Sequence, residues 1–353
     1  TAAKTLGAST LVTAGTGKLV LNADTSARVV TVPSTSNITG VANIELTRGQ
    51  LKITGANELS TSAVITTAAS NSTLDIDASQ SIATLTHSGA MDIASGVILT
   101  QTGAAASVIV GTITGAGTYT LNDSTSAMAV TWGSDVSGFS GVVNITDVAS
   151  FTVADPSLLT AGTFNIATGK SISLEPTAAK TLGASTLVTA GTGKLVLNAD
   201  TSARVVTVPS TSNITGVANI ELTRGELKLT GTAATSFPSV ITGAGTLTFN
   251  DNTSAMAVTW GADVSGFTGV VNVTDVASFT VADPSLLTNG TFNIATGKSI
   301  SLEPTAAKTL GAAILTTDGT GKLVLNASAS DKVVTVPAAS NITGVANIEL
   351  TRG

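Results

Sequence analysis

The chain predicts an all-β fold, an elongated parallel β-solenoid of about fourteen coils of ~25 residues, on three observations. Whole blocks recur: residues 1–49 return unchanged as 177–225 and with edits as 305–353, and residues 113–176 return as 241–304. Gly-containing turns precede short runs whose alternate residues are apolar, which is the period of a strand with one buried face. Finally, 42% of residues are hydrophobic but only 3% aromatic and 11% charged. Val, Leu, Ile and Ala must therefore fill the core, while abundant Thr, Ser and Gly suit short strands and tight turns.

The elements follow in order. Gly17-Lys18-Leu19-Val20-Leu21-Asn22 reads as a turn and strand, then Val30-Thr31-Val32, then Gly40-Val41-Ala42-Asn43-Ile44-Glu45-Leu46. Alternation puts Leu19 and Leu21, or Ile44 and Leu46, on one face and Glu45 on the other. Met128-Ala129-Val130-Thr131-Trp132, Phe151-Thr152-Val153 and Ile172-Ser173-Leu174 alternate in the same way, with Trp132 and its copy Trp260 facing the core. In the second unit Leu247, Phe249, Phe292 and Ile294 take the inward positions. Copies differ by apolar exchanges: Ile53 for Leu229, Tyr119 for Leu247, Leu121 for Phe249, Ile145 for Val273. One anchor per coil gives residues 19, 44, 74, 91, 119, 145, 164, 195, 220, 247, 273, 292, 323 and 348. Asn22, Asn198 and Asn326 close equivalent strands and read as left-handed turn caps.

Residues 1–176 form a long unit, 177–304 a short one and 305–353 part of a third. The long unit's excess of 48 residues lies between Gly55 and Ile113. Residues 56–104 accordingly read as a two-coil insertion anchored on Leu74 and Met91. A solenoid accepts whole coils because each touches only its neighbours. Tandem β-sandwich domains, the alternative, would have to take about four more strands into a closed core.

A net charge of −6 and a pI near 4.7 argue against nucleic acid or an anionic membrane as partner. With no Cys there is no disulfide, thiolate site or thiol nucleophile. No run of 18 apolar residues marks a membrane-spanning segment, and Thr1-Ala2-Ala3-Lys4 is no signal peptide. The chain reads as a segment cut from a longer protein.

The runs Ile241-Thr242-Gly243-Ala244-Gly245-Thr246-Leu247-Thr248-Phe249-Asn250 and Gly266-Phe267-Thr268-Gly269-Val270-Val271-Asn272-Val273, with their copies at 113–122 and 138–145, resemble the G-x-G-T-L-x-L and F-T-G-x-x-x-V phrases of autotransporter-type β-strand repeats. The resemblance, to these and to filamentous-haemagglutinin-like bacterial surface proteins, covers about a third of the chain. It implies a right-handed β-helix on a cell surface or outside the cell. It carries over no catalytic residue, since the motif holds none.

Candidate chemistry is sparse. The one histidine, His87, lacks a second His or a Cys and reads as an exposed turn residue rather than a base or metal ligand. Asp75 and Asp77 share a strand face, with Asp92 about one coil on, as in a calcium site or a glycan-cleaving groove. Alternation with Leu74 and Ile76 favours a solvated outer face instead. Asn122-Asp123-Ser124 and Asn250-Asp251-Asn252 read as turns, without the nonapeptide glycines of a calcium-loaded β-roll. Gly15-Thr16-Gly17-Lys18 lacks the full phosphate-loop pattern and precedes a strand. Asn37, Asn144, Asn213, Asn272 and Asn341 head glycosylation triplets. No catalytic, cofactor-binding or metal-binding residue is assigned, and no cofactor is expected.

The expected function is a non-enzymatic structural or adhesive rod of an extracellular or cell-surface fibre. Its partners would be other copies of itself, stacked head to tail or side by side, or a host or neighbouring cell surface. Gly353, like Gly49 and Gly225, would precede another coil, while Thr177, the copy of Thr1, follows Glu175-Pro176, so the two ends read as complementary. The alternative is a β-helical polysaccharide-degrading enzyme. Ice binding through Thr ladders ranks last, because Thr-x-Thr is irregular.

Overall fold

The computed structural model describes residues 3–8, 10–68, 71–210, 213–237, 239–337 and 339–353. Thr1, invoked above for end-to-end stacking, lies outside them. Two compact units are present, Thr1–Ser173 with Gly183–Gly193, and Leu174–Leu182 with Lys194–Gly353. Each is a parallel β-solenoid, and together they count about fifteen turns. Among the described residues helix is confined to short 3-10 segments such as Pro156–Leu158 and Pro284–Leu286, and no helix is long and apolar enough to cross a membrane.

In unit 1 three strands make a turn, and each pairs in parallel with its counterpart one turn on. The first ladder runs through Leu19–Asn22, the 43–46 half of Asn43–Ile53, Val64–Thr67, Thr84–His87, Ser107–Ile109, Ala129–Trp132 and Ser150–Val153. The second runs through Val29–Val32, the 49–53 half of Asn43–Ile53, Ser72–Ile76, Ala90–Ile93, Thr112–Gly115 and Asp135–Phe139. The third holds Gln80–Ile82, Ile98–Gln101, Thr118–Asn122, Val142–Asp147, Thr163–Ile166 and Thr186–Thr189. Backbone groups are thus satisfied between turns, and side chains alternate between a dry interior and solvent.

The interior is as the alternation predicts. Ile44, Leu46, Leu247, Phe249, Phe292 and Ile294 are all buried. Leu19 and Leu21 are only half-buried, in the outermost coil of unit 1, where they line an apolar recess with Leu6 and Leu11. Their copies Leu195 and Leu197 are fully buried. Aromatic rings cluster where each block's Trp sits: Trp132 lies 5.4 Å from Phe151 and 5.5 Å from Phe164, and Trp260 lies 5.5 Å from Phe279 and 5.4 Å from Phe292. Burying each such ring contributes roughly 1.5–3 kcal/mol.

Three expectations need correction. The anchors do not follow one face: Ile44 pairs with Ile65 and not Leu74, Met91 with Ile113 and not Tyr119, Phe164 with Leu187, Ile220 with Ile241 and Phe292 with Leu315. At each of these points the anchor series slips one face, while the expected count of about fourteen coils stays close to the roughly fifteen turns present. The cause of each slip is coil length, which runs from the 17 residues between Leu74 and Met91 to the 28 between Val12 and Gly40. Next, Asn22, Asn198 and Asn326 are not left-handed caps. They end their strands at a register shift opposite Arg48, Arg224 and Arg352, and positive φ falls instead on Asn57, Ser124, Ser126, Asn252 and Ser254.

The third correction concerns the insertion. In unit 2, Glu226–Leu229, the counterpart of 50–53, pairs directly with Thr246–Asn250, the counterpart of Thr118–Asn122. In unit 1 the ladder of 49–53 leads to Thr112–Gly115, and Thr118–Asn122 belongs to another ladder. Among the described residues the insertion adds seven strand positions: Leu59, which bridges to Ile38, then Val64–Thr67, Ser72–Ile76, Gln80–Ile82, Thr84–His87, Ala90–Ile93 and Ile98–Gln101. Seven positions are two turns and a third. Within its own unit, each copy of the 64-residue block therefore sits on a different set of ladders relative to the shared block before it.

Candidate functional site

The insertion concentrates the polar groups of unit 1, outside and in. Strand alternation places Lys52, Asp75, Asp92 and Thr114 in register on four successive turns. Lys52 Nζ donates to Asp75 Oδ2 at 2.8 Å and Asp77 Oδ2 at 2.5 Å, and Gln50 Nε2 donates to Asp75 Oδ2 at 2.5 Å. Thr114 Oγ1 donates to Asp92 Oδ1 at 2.6 Å. The predicted neighbourhood of Asp75, Asp77 and Asp92 is present, but Asp75 is buried and not freely solvated. Burial raises its carboxyl pKa, Lys52 opposes that, and Asp77 adds to it. Lys52 is raised in turn by its hydrogen bonds to Asp75 and Asp77. Chemically this is a tied cluster in which a donor engages one oxygen of each carboxylate.

His87 is the larger surprise. It is not an exposed turn residue: it ends Thr84–His87, points inward and is 0% exposed. The inward file through it reads Leu21, Leu46, Thr67, His87, Ile109, Trp132, Val153. Only the inserted turns break its apolar run. Thr67 Oγ1 accepts the amide hydrogens of Ser88 at 3.0 Å and Gly89 at 3.1 Å, and lies 2.9 Å from His87 Nδ1. A hydroxyl has one proton and two lone pairs. Both lone pairs are taken, so the proton goes to Nδ1, and Nε2–H donates to the Thr112 carbonyl at 3.2 Å. The ring is a neutral Nε2–H tautomer with no lone pair left for a metal or a substrate proton. Burial lowers its pKa to about 4, against the hydrogen bond to Thr112, which raises it.

A second interior group went unread in the sequence. Tyr119 OH donates to Gln101 Oε1 at 2.6 Å, Gln101 Nε2 donates to Ser107 Oγ at 2.9 Å, and Ser107 Oγ donates to the Leu85 carbonyl. Gln80 Nε2 similarly reaches the Gly55 carbonyl at 2.6 Å while its Oε1 accepts from the Leu59 amide. The available signal was the Tyr119/Leu247 exchange: the second unit lacks Gln101 and carries Leu where a phenol would be stranded.

The remaining motifs are structural. Asp123 Oδ1 accepts from the Thr125 amide at 2.7 Å and its Oδ2 from the Met128 amide; Asp251 accepts from Thr253, Ala255 and Met256. Burial pushes both carboxyls up, but these amides outweigh it and hold them below the ordinary value. Lys18 pairs with Glu45 and precedes the strand Leu19–Asn22. Of the triplet asparagines, Asn144 Nδ2 donates to Thr120 at 3.3 Å and its Oδ1 accepts from Asn165 at 3.0 Å; Asn272 repeats this with Thr248 and Asn293. Asn341 and Asn213 are buried, and the Asn37 side chain lies outside the described atoms. Among the described residues no three His, Cys, Asp or Glu side chains converge as a metal site would need.

No protein-family model matches the sequence, and comparison with curated proteins and with solved structures also gives no match.

Proposed function

We propose that the chain is a segment of a non-enzymatic rod, structural or adhesive, in an extracellular or cell-surface fibre. One observation carries the reading: a 64-residue block, recurring with a few exchanges, is accommodated on two different sets of ladders, with a buried interior in both. Such indifference to rotational phase suits a molecule whose output is length and a repeated surface. An active site, by contrast, depends on one fixed constellation. The resemblance of the G-x-G-T-L-x-L and F-T-G-x-x-x-V phrases to autotransporter-type repeats supports the same location. The carboxylates that a polysaccharide-degrading enzyme would use, Asp75, Asp77 and Asp92, are each held by Lys52, Gln50 or Thr114. Partners in this reading are other copies, joined end to end or side by side, or a neighbouring cell surface.

Electron microscopy of native material, run beside turnover assays on acidic and neutral polysaccharides, tests it. Long fibres and no turnover are expected. Compact particles with glycan turnover that Asp75→Asn abolishes would overturn the reading in favour of an enzyme.

A further inference from the structure

The Thr67–His87–Thr112 contact joins three successive turns at one corner. Thr67 belongs to the turn before His87, and Thr112, opposite Ala90, to the turn after it. The corner is closely packed around the ring: a Cβ on Gly111 would fall 2.6 Å from His87 Nε2 and 2.1 Å from the Gly89 carbonyl, and one on Gly89 would fall 2.4 Å from the Ser72 carbonyl. An imidazolium carries a hydrogen on both nitrogens. A new Nδ1–H would meet an oxygen whose lone pairs already hold the Ser88 and Gly89 amides, on a side chain with no exposed surface.

Among the described residues, the strands around the ring place no free anion beside it. Val64–Thr67, Gln80–Ile82, Ile98–Gln101, Ser107–Ile109 and Thr112–Gly115 contain no ionisable side chain. Asp75 on Ser72–Ile76 is bound by Lys52 and Gln50, and Asp92 on Ala90–Ile93 by Thr114. The contrast with the copied blocks is complete along this file, where their positions are Leu21, Leu46, Trp132 and Val153.

We propose that the inserted turns are an acid-operated element: protonation of His87 breaks the Thr67–His87–Thr112 stitch and opens the corner at 87–90, while the copied turns stay closed. The event is a proton transfer from solvent to Nδ1, which converts the Thr67 hydroxyl from donor to competitor, releases the Gly89 amide and leaves the Ser88 amide only its second bond, to the Thr67 carbonyl at 3.2 Å. Opening uncovers the apolar interior beside Leu85 and Ile109 and frees strand edges within the insertion.

The buried imidazole, held at about 4 against an ordinary 6.5, sets the size of the effect. Opening should become about thirtyfold more favourable at pH 5 than at pH 7.5. Because His87 is the chain's one histidine, its ring nitrogens can be read without assignment ambiguity in a nitrogen-15 spectrum. The ring should be the neutral Nε2–H tautomer down to pH 5. Amide exchange, corrected for its intrinsic pH dependence, should show Ser88 and Gly89 losing about thirtyfold in protection between pH 7.5 and 5, with Phe151–Val153 unchanged. His87→Gln, neutral at every pH, should abolish that dependence. A ring protonated on Nδ1, a ring that titrates near 6.5 with the corner still protected, or the same acid response in His87→Gln would each overturn the proposal. If His87→Gln does not fold, the ring spectrum and the native exchange data decide alone.

Discussion

At the scale of single residues, the copies act as a set of controlled substitutions. Tyr119 and Gln101 occur together in the first unit, and where Gln101 is absent the counterpart of Tyr119 is Leu247. Removing one partner should leave a buried polar group unmet, whereas removing both should not. Gln101→Leu and Tyr119→Phe are each expected to cost about 1–3 kcal/mol, and the double variant clearly less than their sum, in a denaturation cycle. Asp251 yields a pH-dependent test. Its folded pKa is depressed, so its contribution is present above the unfolded carboxyl range and is lost as pH falls through the lower folded value. Asp251→Asn keeps one acceptor oxygen and should cost about 1–2 kcal/mol at pH 7, the gap to the native chain closing in strong acid. His87 shows what was legible and overlooked. The flanking Ser88-Gly89 suggests a turn, yet His87 shares the parity of buried Leu85, and parity decides the face of a strand. What parity could not show is the hydroxyl that donates to the ring, which comes from a residue 20 positions away.

At the scale of elements, corners carry the constraint. Gly225, at φ +103°, is the single link between Asn219–Arg224 and Glu226–Leu229, and a Cβ there would lie 3.1 Å from the Arg204 carbonyl. Gly297, at φ +76°, sits in an open turn with nothing near its missing Cβ. Gly225→Ala should therefore destabilise by about 1–3 kcal/mol, and Gly297→Asn by well under 1, because Asn tolerates the left-handed region and meets no neighbour. Urea midpoints separate the two. Strands themselves were readable, since alternation such as Leu19/Leu21 or Phe292/Ile294 fixes which residues turn inward. Their assignment to a ladder was not. A parallel solenoid pairs each strand with one a whole turn away, and turns of 17 to 28 residues leave no constant period to count. Thus Ile44 and Leu74 look one coil apart in sequence but occupy different ladders.

For the chain as a whole, the consequence is that strand positions, and not whole turns, are the unit of insertion. Each strand meets its neighbours mainly through backbone bonds and generic aliphatic contacts, so a block can move one face round and still close its core. Deleting residues 56–103 restores the second unit's spacing; deleting 56–104, as the sequence alone suggests, leaves the link one residue shorter. The deletion variant, carrying Tyr119→Leu because Gln101 leaves with the insertion, should fold cooperatively. In it, Lys52 should align with Thr120, as Lys228 does with Thr248, and not with Thr114 as removal of two whole turns would require. The chain has no cysteine, so paired substitutions report cleanly. Lys52→Cys with Thr120→Cys should form a disulfide in the deletion variant, since neighbouring parallel strands bring Cα atoms about 5 Å apart. The same pair should stay reduced in the full-length chain, where Lys52 faces Asp75. Cross-linking of Lys52→Cys with Thr114→Cys in the deletion variant would instead show that the downstream block keeps its face, and phase indifference would be lost as an account of how this chain tolerates insertion.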